Sequence, residues 1–189
     1  MSWNGRHRRD RGQSLVEFAL VLTPMLVLFF GIIDFSFIIF AYSVITNSTR
    51  EASRFAATFN SSYGGSSCAG SQAGCITRVA QDQSFNFLAG SKSSYITVNY
   101  YTTNNLSSPV MTCNAGACSQ TGTLPQTLSS GKVVKYANQP GNVVEVAVNN
   151  LPWIWLAPIW GFSTSQKMFA SSADVLGGLP AGSLQPPNP

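Results

Sequence analysis

Charge is what this chain has least of. Only 10% of its 189 residues are charged, well under the roughly 25% of an ordinary soluble domain, while 44% are hydrophobic. A freely soluble cytosolic protein is not composed this way. The chain is also too sparsely charged to be disordered through self-repulsion. It has a single histidine, His7, in an Arg-rich N-terminal stretch, so the remainder has no histidine for catalysis or metal ligation. No HExxH, GxSxG, Walker loop or GxGxxG is present. Of the seven acidic residues, Asp10, Glu17, Asp34 and Glu51 belong to the N-terminal region. That leaves Asp82, Glu145 and Asp174, too few to nominate a carboxylate pair. No enzymatic activity, metal or other cofactor is expected. The length allows one modest domain plus an appendage.

What little charge there is sits unevenly. Residues 1–12 carry Arg6, Arg8, Arg9 and Arg11 against Asp10, a net +3; residues 13–189 carry seven basic and six acidic side chains, a net +1. The basic character therefore concerns membrane orientation rather than nucleic acid, and no basic patch with interleaved aromatics argues for DNA. An uncharged run, FALVLTPMLVLFFGII, extends from Phe18 to Ile33, and the apolar character resumes after Asp34 as far as Ile45. Leu15 to Ile45 is 31 residues, about 46 Å of helix against a hydrocarbon core of about 30 Å. One end must tilt or project. A cleaved secretory signal is the competing reading, but the run is about twice the usual 7–15-residue core and no A-x-A site follows promptly. A retained anchor is expected, N-terminus in the cytoplasm and the rest outside. Glu17 lies at the mouth of the segment, and Asp34 is expected to emerge beyond the bilayer core. Pro24 removes one backbone bond and is a site for a kink.

Arg11–Arg54 reads RGQSLVEFALVLTPMLVLFFGIIDFSFIIFAYSVITNSTREASR. This segment resembles the TadE-like family of minor pilins, or pseudopilins, of tight-adherence (Flp-type) pilus assembly systems. The matching features are Arg11-Gly12, the Glu five residues later at Glu17, and the EFALVL run. A proline soon after, the Gly31–Asp34 step and the closing Arg50–Arg54 complete the likeness. Thr23 separates Leu22 from Pro24, where many relatives place the proline directly after the aliphatic run. The resemblance implies a type IV prepilin signal, cut by a prepilin peptidase between Gly12 and Gln13. Glycine admits the backbone to a narrow peptidase groove without a side-chain clash. It further implies that Glu17 offsets the new α-ammonium of a neighbouring subunit during assembly, since a carboxylate in lipid is tolerable only with a partner. The implied partners are the prepilin peptidase and other pilus subunits, and the implied location is the bacterial inner membrane, with possible incorporation in a pilus.

Past the apolar segment, Ala52, Phe55, Ala56 and Phe59 continue one helical face, with Arg50, Glu51, Ser53 and Arg54 mostly off it. One helix is predicted over 13–59, spanning the membrane over about residues 15–40. Asn60–Gly74 reads as a Ser/Gly-rich loop, and Ile76–Leu88 as a second helix closed by Gly90. Tyr95–Tyr101 and Asn142–Asn149 alternate as strands, with Lys132–Tyr136 and Gln166–Asp174 as further candidates. The expected fold is α+β: a long N-terminal, pilin-like transmembrane helix with a small antiparallel sheet on its outer end. The expected boundaries are a basic leader (1–12), the helix (13–59), an extracytoplasmic domain (60–176) and a Pro/Gly-rich tail (177–189).

Four cysteines, Cys68, Cys75, Cys113 and Cys118, all follow the helix. An even count in an outward-facing domain reads as two disulfides with three possible pairings. The spacings within separate polar loops favour Cys68–Cys75 and Cys113–Cys118, each closing a short loop worth about 2 kcal/mol; a four-cysteine zinc site is the rival, without C-x2-C spacing. Leu151–Phe162 (LPWIWLAPIWGF) holds Trp153, Trp155 and Trp160 beside Pro152 and Pro158, a composition at odds with a regular helix or central strand. Its rings either fill the core beneath a loop or form an apolar contact surface for lipid or a neighbouring component. A permanently anchored binding or adhesion module is the alternative function.

Overall fold

A computed structural model describes residues 7–60, 62–67, 71–154 and 165–177. Helix α1 runs unbroken over His7–Ala57, with Pro24 inside it. It therefore starts within the basic leader, earlier than the predicted Gln13, and stops short of Phe59. Phe59 has φ 56°, a left-handed conformation that ends a helix. Within the apolar run, hydroxyls are turned onto the helix itself: Thr23 Oγ1 donates to the Ala19 carbonyl and Ser36 Oγ to that of Ile32, both at 2.8 Å. This hides polar hydrogens where no water competes for them.

The second half of the helix buries a different set of residues. Ala41, Val44, Ile45, Ser48, Thr49, Ala52, Ser53, Ala56 are all buried, a stripe at helical spacing made mostly of small side chains. Ser53, read from sequence as off the stripe, lies on it, its Oγ 3.1 Å from Ser172 Oγ of the sheet. Small residues let the helix backbone approach its neighbours closely, and a 3.3 Å bond from Gly177 N to the Ala57 carbonyl closes the far end.

Two short strands, β1 (Ser62–Tyr63) and β2 (Ser66–Ser67), pair around Gly64-Gly65, inside what reads as a loop. Helix α2 covers Gln72–Asp82, not Ile76–Leu88. Ser71 caps its start, its Oγ accepting from Gly74 N at 3.1 Å. The chain leaves α2 through turns in which Phe85 and Asn86 take φ of 48° and 68°, so the helical pattern of Phe87 and Leu88 is not helix. A 3-10 turn, Gly90–Tyr95, leads into β3 (Ile96–Tyr101).

Strands β4 (Met111–Asn114) and β5 (Ala117–Gln120) form a hairpin not among the predicted strands. β6 (Gln126–Thr127) and β7 (Val133–Val134) make a separate ladder, so only two residues of the predicted Lys132–Tyr136 strand are extended. β8 (Val143–Ile154) and β9 (Ser165–Val175) complete a five-stranded antiparallel sheet of order β5-β4-β3-β8-β9. The fold is α+β. β8 runs on through Leu151, Pro152 and Trp153 into Ile154, so the start of the Trp-rich segment is strand, with its proline near the strand's end. One sheet face buries Ile96, Val98 and Tyr100 from β3 and Val144, Val146 and Val148 from β8; α2 packs on β3 and supplies the buried Cys75, Ile76, Val79 and Ala80. Each such aliphatic contributes roughly 1.5–3 kcal/mol.

Contacts divide the chain into two compact units: Met1–Ile39 with Trp153–Gln166, and Phe40–Pro152 with Lys167–Pro189.

Candidate functional site

The first candidate site is the exposed half of α1. Between Gln13 and Phe40 only Asp34 is buried, while sixteen large apolar side chains from Leu15 to Phe40 lie open, Leu20 at 71% and Leu15 at 69%. Leaving that surface in water would cost on the order of 20 kcal/mol or more, above the 5–15 kcal/mol of a typical fold. This helix is built to be covered, and it is long and apolar enough to cross a membrane.

Gly12 and Gln13 fall inside the helix. Gln13 Nε2 donates to Glu17 Oε1 at 3.2 Å across one turn. Glu17 is thus held by a neutral amide at the start of the exposed stretch. Asp34, expected past the bilayer core, is 1% exposed: protein covers it, not open solvent.

Cys113 and Cys118 face each other across the β4–β5 ladder and are bonded, Cα–Cα 3.9 Å. The hairpin turns at Ala115-Gly116, φ 50° and 87°. Those dihedrals suit a two-residue hairpin, and an A-G pair between two cysteines was the available signal. Cys75 is also disulfide-bonded; Cys68 lies outside the described residues, and so does the expected Cys68–Cys75 bridge. Trp153 is half-buried at the end of β8, whereas Trp155 and Trp160 lie outside the described residues.

A polar pocket lies where no sequence motif marks it. A cavity of about 430 Å³ is lined by Tyr42, Asn99, Glu145, Ala147, Asn149, Phe169, Ala170 and Ser171. It lies over the sheet face opposite the core, where alternation turns Thr97, Asn99, Tyr101 and Glu145 outward. Glu145 Oε2 accepts from Tyr101 OH at 2.7 Å and from Asn99 Nδ2 at 3.2 Å. Partial burial, then the hydrogen bond to Glu145 and its charge, push the Tyr101 hydroxyl up to about 12. The carboxylate is oriented by two donors and has aromatic neighbours in Tyr42 and Phe169. Among the described residues that line it none is lysine, arginine or histidine, and the oriented carboxylate suits recognition of a donor or cation.

Comparison with known families bears on the helix, not the pocket. Residues 12–54 match the family model of the TadE-like protein. That segment, about a quarter of the chain, is similar to the TadE-like family. The match covers the open apolar stretch, Glu17, Asp34 and all of the buried stripe but Ala56. No curated protein and no solved structure matches the chain significantly.

Proposed function

We propose that the protein is a minor pilin or pseudopilin of a tight-adherence pilus system, held in the bacterial inner membrane by α1 and assembled with other subunits through it. The observation that carries this reading is the TadE-like match on a helix whose apolar side chains are bare from Leu15 to Phe40. A helix built this way serves two environments in turn: lipid before assembly, and the helices of neighbouring subunits after it. The leader of four arginines favours a cytoplasmic N-terminus. A prepilin peptidase cutting between Gly12 and Gln13 removes that anchor charge and leaves an α-ammonium on Gln13. Glu17, held by the neutral Gln13 amide at 3.2 Å, then has reason to exchange it for a neighbour's ammonium, a charge-assisted partner roughly twice as strong.

Two measurements test this. Mature protein recovered from membranes of a strain with active prepilin peptidase should begin at Gln13, and Gly12→Leu should stay full length. Intact Met1–Gly12 on assembled protein removes the pilin reading. Glu17→Gln should still insert but lose co-purification with other pilus subunits, because stranding one member of a desolvated pair costs about 3–5 kcal/mol. Normal co-purification would remove the pairing mechanism and leave the family match intact. The Glu145 pocket favours a second reading, a permanently anchored binding module; such a protein needs no cut at Gly12, so the same N-terminal sequence separates the two.

A further inference from the structure

The outer face of the sheet carries a carboxylate that two donors have already positioned. Asn99 of β3 stands directly across from Glu145 of β8 in the antiparallel register, and Tyr101 is the next residue of β3 on that face. Asn99 Nδ2 and Tyr101 OH both donate to the same oxygen, Oε2, at 3.2 and 2.7 Å. Its two lone pairs are thereby used. Among the described residues, Oε1 receives no hydrogen bond and no ion pair reaches the group. Glu145 therefore presents its charge through one open oxygen. Because Asn99 donates through its amide nitrogen, its own carbonyl oxygen remains an acceptor beside that charge.

The walls around it narrow the ligand further. Asn149 and Ser171 add an amide and a hydroxyl to the lining, and Tyr42 and Phe169 add two rings, each about half exposed, at 54% and 53%. A cation beside an open aromatic face gains attraction from the ring beyond its pairing with the carboxylate. The cavity measures about 430 Å³, where a single water needs about 10–15 Å³, so a bare inorganic ion leaves most of it unfilled. A cation on an alkyl stem fills it, the stem lying along the apolar part of the lining as a lysine's does on protein surfaces. The open oxygen also chooses between organic cations. A guanidinium is bound best by a fork on both carboxylate oxygens, and Oε2 is already occupied. An ammonium is a compact charge with three donors, matched by Glu145 Oε1 and the oxygens of Asn99, Asn149 and Ser171.

We propose that the Glu145 pocket is a binding site for an alkylammonium group, carried by a free amine or by the lysine side chain of another polypeptide, with Glu145 Oε1 as the anionic contact and Phe169 and Tyr42 flanking the cation. Asn99 and Tyr101 are positioning residues: they fix the carboxylate so that no reorientation is needed when the ligand arrives. The site belongs equally to a pilin and to a permanently anchored module, so its failure leaves the reading of α1 untouched.

The test uses the full chain in detergent micelles, labelled with nitrogen-15 on asparagine and followed by nuclear magnetic resonance. It is titrated with butylammonium, acetyl-lysine methylamide and acetyl-arginine methylamide, sodium chloride holding the ionic strength constant. The side-chain amide signals of Asn99 and Asn149 should shift saturably with both ammonium probes. Glu145→Gln can still accept from Asn99 and Tyr101, yet its affinity for them should fall about tenfold or more. Phe169→Leu, at an exposed position, should weaken binding about two- to five-fold, and it supplies the reading if the Glu145 variant does not fold. Tighter binding of the lysine derivative than of butylammonium traces the group to a protein side chain, and the reverse to a free amine; both support the site. The proposal is overturned by the absence of a saturable shift with either ammonium, by equal affinity in Glu145→Gln or, where that variant does not fold, in Phe169→Leu, by the same shifts from potassium at equal concentration, or by tighter binding of the arginine derivative.

Discussion

Gln72 joins three parts of the domain through one side chain. Its Nε2 donates to the Ala56 carbonyl of α1, while its Oε1 accepts from Asn138 Nδ2 at 3.1 Å and Tyr100 OH at 3.4 Å. All of this is buried. Gln72→Leu keeps the volume and removes three buried hydrogen bonds, so it should cost about 2–4 kcal/mol, read as a fall in the denaturation midpoint of the detergent-solubilised chain. The tyrosines make a second residue-level prediction. Burial raises the Tyr100 hydroxyl, and partial burial with Glu145 pushes Tyr101 up to about 12. Both titrate higher folded than unfolded, where the value is about 10. Their contribution is therefore complete below about pH 10 and is lost as pH rises from 10 towards 12. Tyr101→Phe should soften that alkaline loss, and stability that does not fall across this range would contradict the assignment.

At the scale of elements, the β4–β5 hairpin tests what a tight turn demands. Gly116 has φ 87°, and a Cβ there would stand 3.2 Å from the Gly74 Cα on α2. Gly116→Ala should cost about 1 kcal/mol or more. Asparagine tolerates the dihedral but still carries the Cβ, so Gly116→Asn should recover little; a full recovery would assign the cost to φ alone. The two halves of α1 should respond in opposite ways to substitution. Ala52, fully buried on the small-residue stripe, has no room, and Ala52→Leu should destabilise the domain by about 1–3 kcal/mol. Leu28→Ala, on the bare half, should leave the domain's denaturation midpoint unchanged. Equal effects at both positions would contradict the division of the helix.

For the whole molecule the prediction concerns the cysteines and the side of the membrane. An extracytoplasmic domain should carry no free thiols, and non-reducing peptide mapping should return Cys113 linked to Cys118 and Cys68 linked to Cys75. A peptide joining Cys68 to Cys113 or Cys118 refutes the local pairing, and four alkylatable thiols count against the outward topology as well.

The helix, its bare half and the α+β order were legible in sequence because each depends on local composition. An uncharged run is apolar wherever it folds, and alternation such as that of Ile96, Val98 and Tyr100 marks a strand by its own period. The TadE-like likeness was legible for the same reason, its features lying together within residues 12–54. The ends of α2, the β4–β5 hairpin and the burial of Ser53 were not. Phe87 and Leu88 continue a helical pattern that two left-handed residues interrupt, and Ser53 looks polar until Ser172, 119 positions away, is brought against it. The Glu145 pocket was hidden too, since Tyr42, Asn99, Glu145 and Phe169 come from three strands and a helix and none is unusual alone. Sequence by itself determined which surfaces must leave water; tertiary structure decided which polar groups would meet, because that depends on contacts between residues far apart in the chain.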